Sequence, residues 1–244
     1  MTKKGSTREA PSDLGALEER LGYEFKDRAL LERALTHRSY AHENVRSGEE
    51  EKARAMHNEA LEFVGDSVLG LVVADALFRA HPDVTEGELS RMKHRLVSTQ
   101  TLARAARALQ VGESLRVGRG EEKTGGRRKR ALLADAFEAV LAAVFIDGGF
   151  DEAGRFVARA LGRELEEATP ESAAAADYKT LLQERLQAER RVTPHYDLIE
   201  TEGPPHSHTF HVEVVWDEQR ARGSGKTIKA AEMDAARRAL EGME

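Results

Sequence analysis

The chain contains no cysteine. That absence excludes disulfides, thiolate zinc sites and cysteine nucleophiles, and it fits a reducing cytosol. The opening stretch, MTKKGSTREAPSDLG, lacks the apolar run of a secretory signal. No uncharged apolar segment approaches the ~18–20 residues needed to span a bilayer; Leu69 to Phe78 is too short and contains Asp75. Positive charge is not in excess either. With 37 Lys and Arg against 43 Asp and Glu, the formal net charge is −6, so attraction to polyanions by bulk charge is excluded. Any nucleic-acid binding must rest on local patches. These absences point to a soluble, cytoplasmic protein. Its 244 residues suffice for one large or two modest domains.

What the chain does have is acid in places where acid is costly. Residues 57 to 69 read HNEALEFVGDSVL, an apolar helical segment in which Glu59, Glu62 and Asp66 share one narrow stripe. Leu61, Phe63, Val64, Val68 and Leu69 cover most of the remaining surface, so the helix is expected to be buried nearly all round. A second apolar segment, LADAFEAVLAAVFIDGG from Leu133 to Gly149, repeats the pattern with Asp135 and Glu138 at i, i+3. Glu86, near another helix start, is a sixth acid. Buried like charges repel and are expensive to desolvate. The acids therefore need Arg or Lys partners, shared protons or a metal ion. For any single acid an ion pair with Arg91, Lys93 or Arg95 is a sufficient account. Burying this many for structure alone is harder to explain, since apolar packing would serve as well. Oxygen-only ligands suit a hard cation such as Mg²⁺, and such sites serve phosphodiester chemistry.

The pattern from Leu14 to about Leu165 is helical throughout, apart from a charged stretch at Glu43 to Met56 and a Gly-rich basic loop, GRGEEKTGGRRKR, at 118 to 130. The first reads as a solvated loop or a frayed helix and the second as a solvated loop; the alternative for Arg127 to Arg130 is a phosphate-contacting patch. Thr85 and Glu88 are spaced as a capping box. The predicted organisation is a flexible N-terminus at 1–13, an all-α domain at 14–167, a small-residue linker at 168–176 and an α-β-β-β-α domain at 177–244. In the last, Phe210, Val212, Val214 and Trp216 alternate as a half-buried strand.

At this point the residues resemble a known family. HNEALEFVGDSVL closely resembles the ribonuclease III signature, with Ala60 where Arg is usual. The likeness extends to THRSY (Thr36 to Tyr40), EGELSRMKHRLVS (Glu86 to Ser98) and the Leu133 to Gly149 segment, where the usual preceding Ser is Ala131. DYKTLLQERLQ, GPPHSHTF and KAAEMDAA resemble the double-stranded RNA-binding domain that follows in bacterial members. The resemblance implies that Glu62, Asp135 and Glu138 ligate Mg²⁺, for which Mn²⁺ can substitute. It implies that Asp66 and Glu138 are most directly catalytic, and that Glu59 and Glu86 line the cleft and assist. It also implies a homodimer that cuts duplex RNA in rRNA and mRNA processing, leaving 5′-phosphates, 3′-hydroxyls and short 3′ overhangs; two-fold symmetry suits two antiparallel strands. The alternative, a non-catalytic duplex-RNA-binding protein, would be marked by loss of a metal carboxylate, and all six acids are present.

Duplex RNA is read by shape, through minor-groove 2′-hydroxyls and backbone phosphates. The resemblance places those contacts at Thr180, Gln183 and Glu184 on one helix, at His206 in a loop, and at Lys226 and Lys229 by the last helix's N-terminus, whose positive end adds to them. Ser207, Ile228 and Met233 depart from the family's usual residues and imply weakened affinity.

Overall fold

The structure, a computed structural model, describes residues 14–46, 48–170, 178–189, 192–204 and 208–243. Residues 1–13, most of the expected linker, and His206 with Ser207 lie outside the described residues. The chain divides into two compact units: up to Val84 together with Lys93–Glu167, and Thr85–Met92 with the stretch from Ala168 on. No described helix is long and apolar enough to cross a membrane.

The chain from Leu14 to Glu166 is helical, and all of it but Thr85–Met92 belongs to the first unit. Four short helices, α1 (Leu14–Leu21), α2 (Arg28–Ala34), α3 (Arg38–Asn44) and α4 (Glu50–Met56), lead into the long α5 (Glu59–Ala80). The stretch expected as loop or frayed helix holds the end of α3 and all of α4, because Ala41 and Ala53 give these charged segments buried positions to pack on. α5 stops at His81, before Pro82, whose ring disfavours helix at the preceding residue. α6 (Glu86–Leu96) opens with the expected capping box: Thr85 N donates to Glu88 Oε2 at 3.0 Å, and Glu88 N donates to Thr85 Oγ1 at 3.4 Å. Then come α7 (Thr99–Ala108), the single turns α8 (Val111–Ser114) and α9 (Arg119–Lys123), and a 3₁₀ turn at Gly126–Arg128. α10 (Arg130–Gly148) and α11 (Phe150–Glu166) complete the unit. The basic loop is therefore partly ordered. Arg127 Nε pairs with Glu122 Oε2 at 2.6 Å, and Lys129 Nζ pairs with Glu121, so α9 neutralises two of the four cations at 127 to 130.

α10 is the axis of this unit and packs against α2, α5, α7 and α11. Leu133, Phe137 and the run Ala139–Val144 are buried, which is why its sequence is apolar on every side. α5 differs from the expectation. It buries Leu61, Val68, Leu69, Val72, Val73 and Leu77, but Phe63 is 76% exposed, Leu71 59% and Phe78 65%. At 100° per residue these three fall within an arc of about 80°, an apolar stripe left exposed among the described residues.

In the second unit α12 (Tyr178–Glu189) precedes three antiparallel strands, β1 (His195–Glu202), β2 (Thr209–Trp216) and β3 (Gln219–Gly225), in the order β1-β2-β3, and α13 (Ile228–Glu241) closes it. Val212, Val214 and Trp216 on the inner face of β2 pack with Leu182 and Leu186 of α12 and with Ala231, Ala235, Ala236 and Ala239 of α13. A Cβ on Gly223 would lie 2.1 Å from the Ala235 nitrogen, so β3 and α13 meet backbone to backbone.

Candidate active site

α5 and α10 cross with almost nothing between them. A Cβ on Gly65 would stand 1.9 Å from the Glu138 carbonyl oxygen, so only glycine permits this approach. Glu62 and Asp66 flank Gly65 on one helix, and Asp135 and Glu138 face them from the other. The crossing brings a carboxylate oxygen from each of Glu62, Asp135 and Glu138 within 4.8 Å of one another.

This arrangement is electrostatically strained. Burial first, then the charges of Asp66, Glu62 and Asp135, push the Glu138 carboxyl up to about 8. Burial, Asp135, Glu59 and Asp66 raise Glu62, and burial raises Asp135. Among the described residues, the basic groups that contact these acids both meet Glu59, Arg38 Nη1 at 3.3 Å and His57 Nε2 at 3.9 Å, outside the group of three. Side-chain cations therefore leave Glu62, Asp135 and Glu138 uncompensated, and protons or a metal ion remain. Three half-buried carboxylates with oxygen donors alone, beside the exposed Asp66, fit a hard divalent cation that keeps some of its water.

Of the other predicted acids, Glu59 opens α5 and is 49% exposed. Glu86 opens α6, where its carboxylate accepts a hydrogen bond from Ser90 Oγ at 2.8 Å; it is not one of the three gathered carboxylates. The start of α5 is anchored by the THRSY segment. Asn58 N donates to the Thr36 carbonyl at 2.9 Å, and Arg33 Nε donates to the His57 carbonyl at 3.2 Å. Thr36, His57 and Asn58 are all buried. Sequence reasoning assigned no task to Gly65, Arg38, Thr36 or His57; the only signal was that all four fall inside the motifs that carry the family resemblance.

In the second unit Thr180, Gln183 and Glu184 are exposed on one face of α12, opposite the buried Leu182 and Leu186. Lys226 and Lys229 are exposed at the start of α13. Lys226 Nζ donates to Thr209 Oγ1 at 3.1 Å, and Thr227 caps the helix by accepting from Ala230 N at 3.1 Å.

A helical body with an all-carboxylate cation site, followed in sequence by an α-β-β-β-α module, defines a two-part class: a metal-assisted phosphodiesterase with a duplex-RNA-binding domain. Residues 27–165 match the Ribonuclease-III-like family, and residues 178–243 match the double-stranded RNA binding motif. The chain belongs to the ribonuclease III family and is an enzyme of that endoribonuclease class. Among curated relatives it is 47% identical to Ribonuclease 3 of Syntrophobacter fumaroxidans, covering 95% of each chain. It is 47% identical to Ribonuclease 3 of Thiobacillus denitrificans, covering 91% of this chain and 93% of that one. A solved nuclease domain of ribonuclease III from Campylobacter jejuni is 35% identical, with a TM-score of 0.54 over 65% of this chain and 99% of that one. That structure is described by its flexibility in a region involved in dimer formation.

Proposed function

We propose that the protein is a Mg²⁺-dependent endoribonuclease that cuts double-stranded RNA as a homodimer, in rRNA and mRNA processing in the cytoplasm. The observation that carries this reading is the gathering of Glu62, Asp135 and Glu138 at the α5–α10 crossing, in a chain that also carries a double-stranded RNA binding motif. These three residues hold the metal. Bound there, a divalent cation would supply Lewis-acid activation of water and charge stabilisation at the scissile phosphate. Asp66, exposed beside Gly65, and Glu138, shared between ligation and proton handling, are the residues nearest the chemistry. Glu59 and Glu86 assist at the cleft. Hydrolysis breaks the bond from phosphorus to the 3′ oxygen, giving a 5′-phosphate and a 3′-hydroxyl, and two offset sites leave short 3′ overhangs.

The stripe of Phe63, Leu71 and Phe78 lies beside the acidic stripe on α5. It fits a second copy of the chain, which would set two such sites side by side, one for each strand. In the second domain, Thr180, Gln183 and Glu184 reach 2′-hydroxyls, while Lys226, Lys229 and the positive end of α13 take phosphates; His206 completes the set. The domains are 14–167 and 177–244, with 168–176 as linker. The test is incubation of a labelled perfect RNA duplex with Mg²⁺ or with EDTA, followed by end-group analysis. Cleavage that survives EDTA, or 5′-hydroxyl ends, would refute the reading.

A further inference from the structure

A site lined by Glu59, Glu62, Asp66, Asp135 and Glu138 repels the phosphates it is meant to receive. Among the described residues, Arg38 is a cation paired with an acid at its rim. Arg38 is the first residue of α3, and its backbone is fixed because neighbouring His37 N donates to the Arg116 carbonyl at 2.9 Å and Asn58 N donates to the Thr36 carbonyl at 2.9 Å. The side chain by contrast is 65% exposed, and its contact with Glu59, itself 49% exposed, is a single one of 3.3 Å. An exposed pair of this kind adds little to stability, and separating it strands no buried charge. Glu59 also keeps a neighbour afterwards, since its other oxygen lies 3.9 Å from His57 Nε2. A guanidinium meets a phosphate with two parallel N–H···O bonds, a stronger and better oriented contact than the one it would leave.

We propose that Arg38 is a substrate-positioning residue: it rests on Glu59 in the free protein and turns to a backbone phosphate of the duplex when RNA enters the acidic cleft. This rests on the nuclease reading above, and it adds a phosphate subsite at the start of α3.

The test compares full-length wild type with Arg38→Ala, Arg38→Lys and Arg38→Gln on a perfect RNA duplex. Cleavage is followed in Mg²⁺, and binding in EDTA at several salt concentrations. Arg38→Ala should lower kcat/KM about tenfold, the scale of a charged hydrogen-bonded contact, with kcat at saturating RNA unchanged. The slope of log affinity against log salt should shrink by about one phosphate contact. Arg38→Lys should restore that slope, and Arg38→Gln, which keeps length without charge, should behave as Ala does even where Ala disturbs the fold. An unchanged salt slope and kcat/KM in both neutral variants would overturn the proposal. So would a fall in kcat with KM unchanged, which would make Arg38 an organiser of the acids. Failure of the wild type to cleave at all would sink the nuclease reading, while the salt slope in EDTA would still decide Arg38.

Discussion

Glu138→Gln separates the electrostatic strain of the acidic group from its chemistry. In the metal-free protein the Glu138 carboxyl is pushed up to about 8, whereas an unfolded chain holds it at about 4.3. The folded state therefore binds this proton more tightly than the unfolded state does. Stability from the group is complete below the unfolded value and is lost as pH rises through the folded one, so the loss spans about pH 4.3 to 8. At about 1.4 kcal/mol per unit the ceiling is about 5 kcal/mol, and partial solvent access reduces this to about 2–3 kcal/mol. Glutamine keeps the shape and carries no charge at any pH. In EDTA at pH 8 the variant should be the more stable protein, melting about 5–10 °C higher, while at pH 5 the two should converge. Mg²⁺ should reverse the ranking, because only the wild type gains a full set of ligand charge, and the variant should bind RNA yet fail to cleave it. Melting curves from pH 5 to 8.5, with EDTA and with Mg²⁺, make the comparison. Parallel curves for the two proteins in EDTA, or a variant less stable at pH 8, would refute the argument.

Gly65→Ala should separate α5 from α10 by about 1 Å or more and lower stability by about 1–3 kcal/mol. Its cleavage rate should fall about 100-fold through misplaced carboxylates; full activity at any melting temperature would dismiss the crossing as the determinant of the site. Phe63→Asp together with Phe78→Asp should convert a dimer of about twice 27.0 kDa to a monomer in sedimentation; a wild type that is already monomeric and active would rule out the paired-site reading. A fragment ending at Glu167 should cleave at low salt and lose activity steeply as salt rises, relative to the full chain. Lys226→Ala with Lys229→Ala should reproduce part of that loss, and equal activity at physiological salt would show that the second domain is no RNA tether.

Much of this was legible in the sequence because periodicity reports burial directly. Acids spaced along two apolar helices, the capping box at Thr85 and Glu88, and the alternation from Phe210 to Trp216 all correspond to observed elements. The exposed stripe on α5 was not legible, since Phe63, Leu71 and Phe78 sit at helical spacing whether the surface they meet belongs to the same chain or to another. The charged helix α4 was legible only as a loop or a frayed helix, because one buried Ala53 is too faint a signal among so many ionised neighbours to decide between them. Arg38 and Glu59 are 21 positions apart, and nothing local in either segment announces the contact. Gly65 stood within a family motif, yet its meaning depends on the backbone of Glu138, which only the fold brings near.

The crossing at Gly65 makes the ruler for the carboxylate spacing out of main chain against main chain. Side chains that fill the core elsewhere, such as Val72, Leu77 or Leu141, can change without resetting that ruler, provided the two helices remain in contact. Stability and ligand geometry are thereby decoupled across most of the domain, leaving the core free to vary in sequence. Apart from the carboxylates themselves, the spacing depends most on a residue that has no side chain at all.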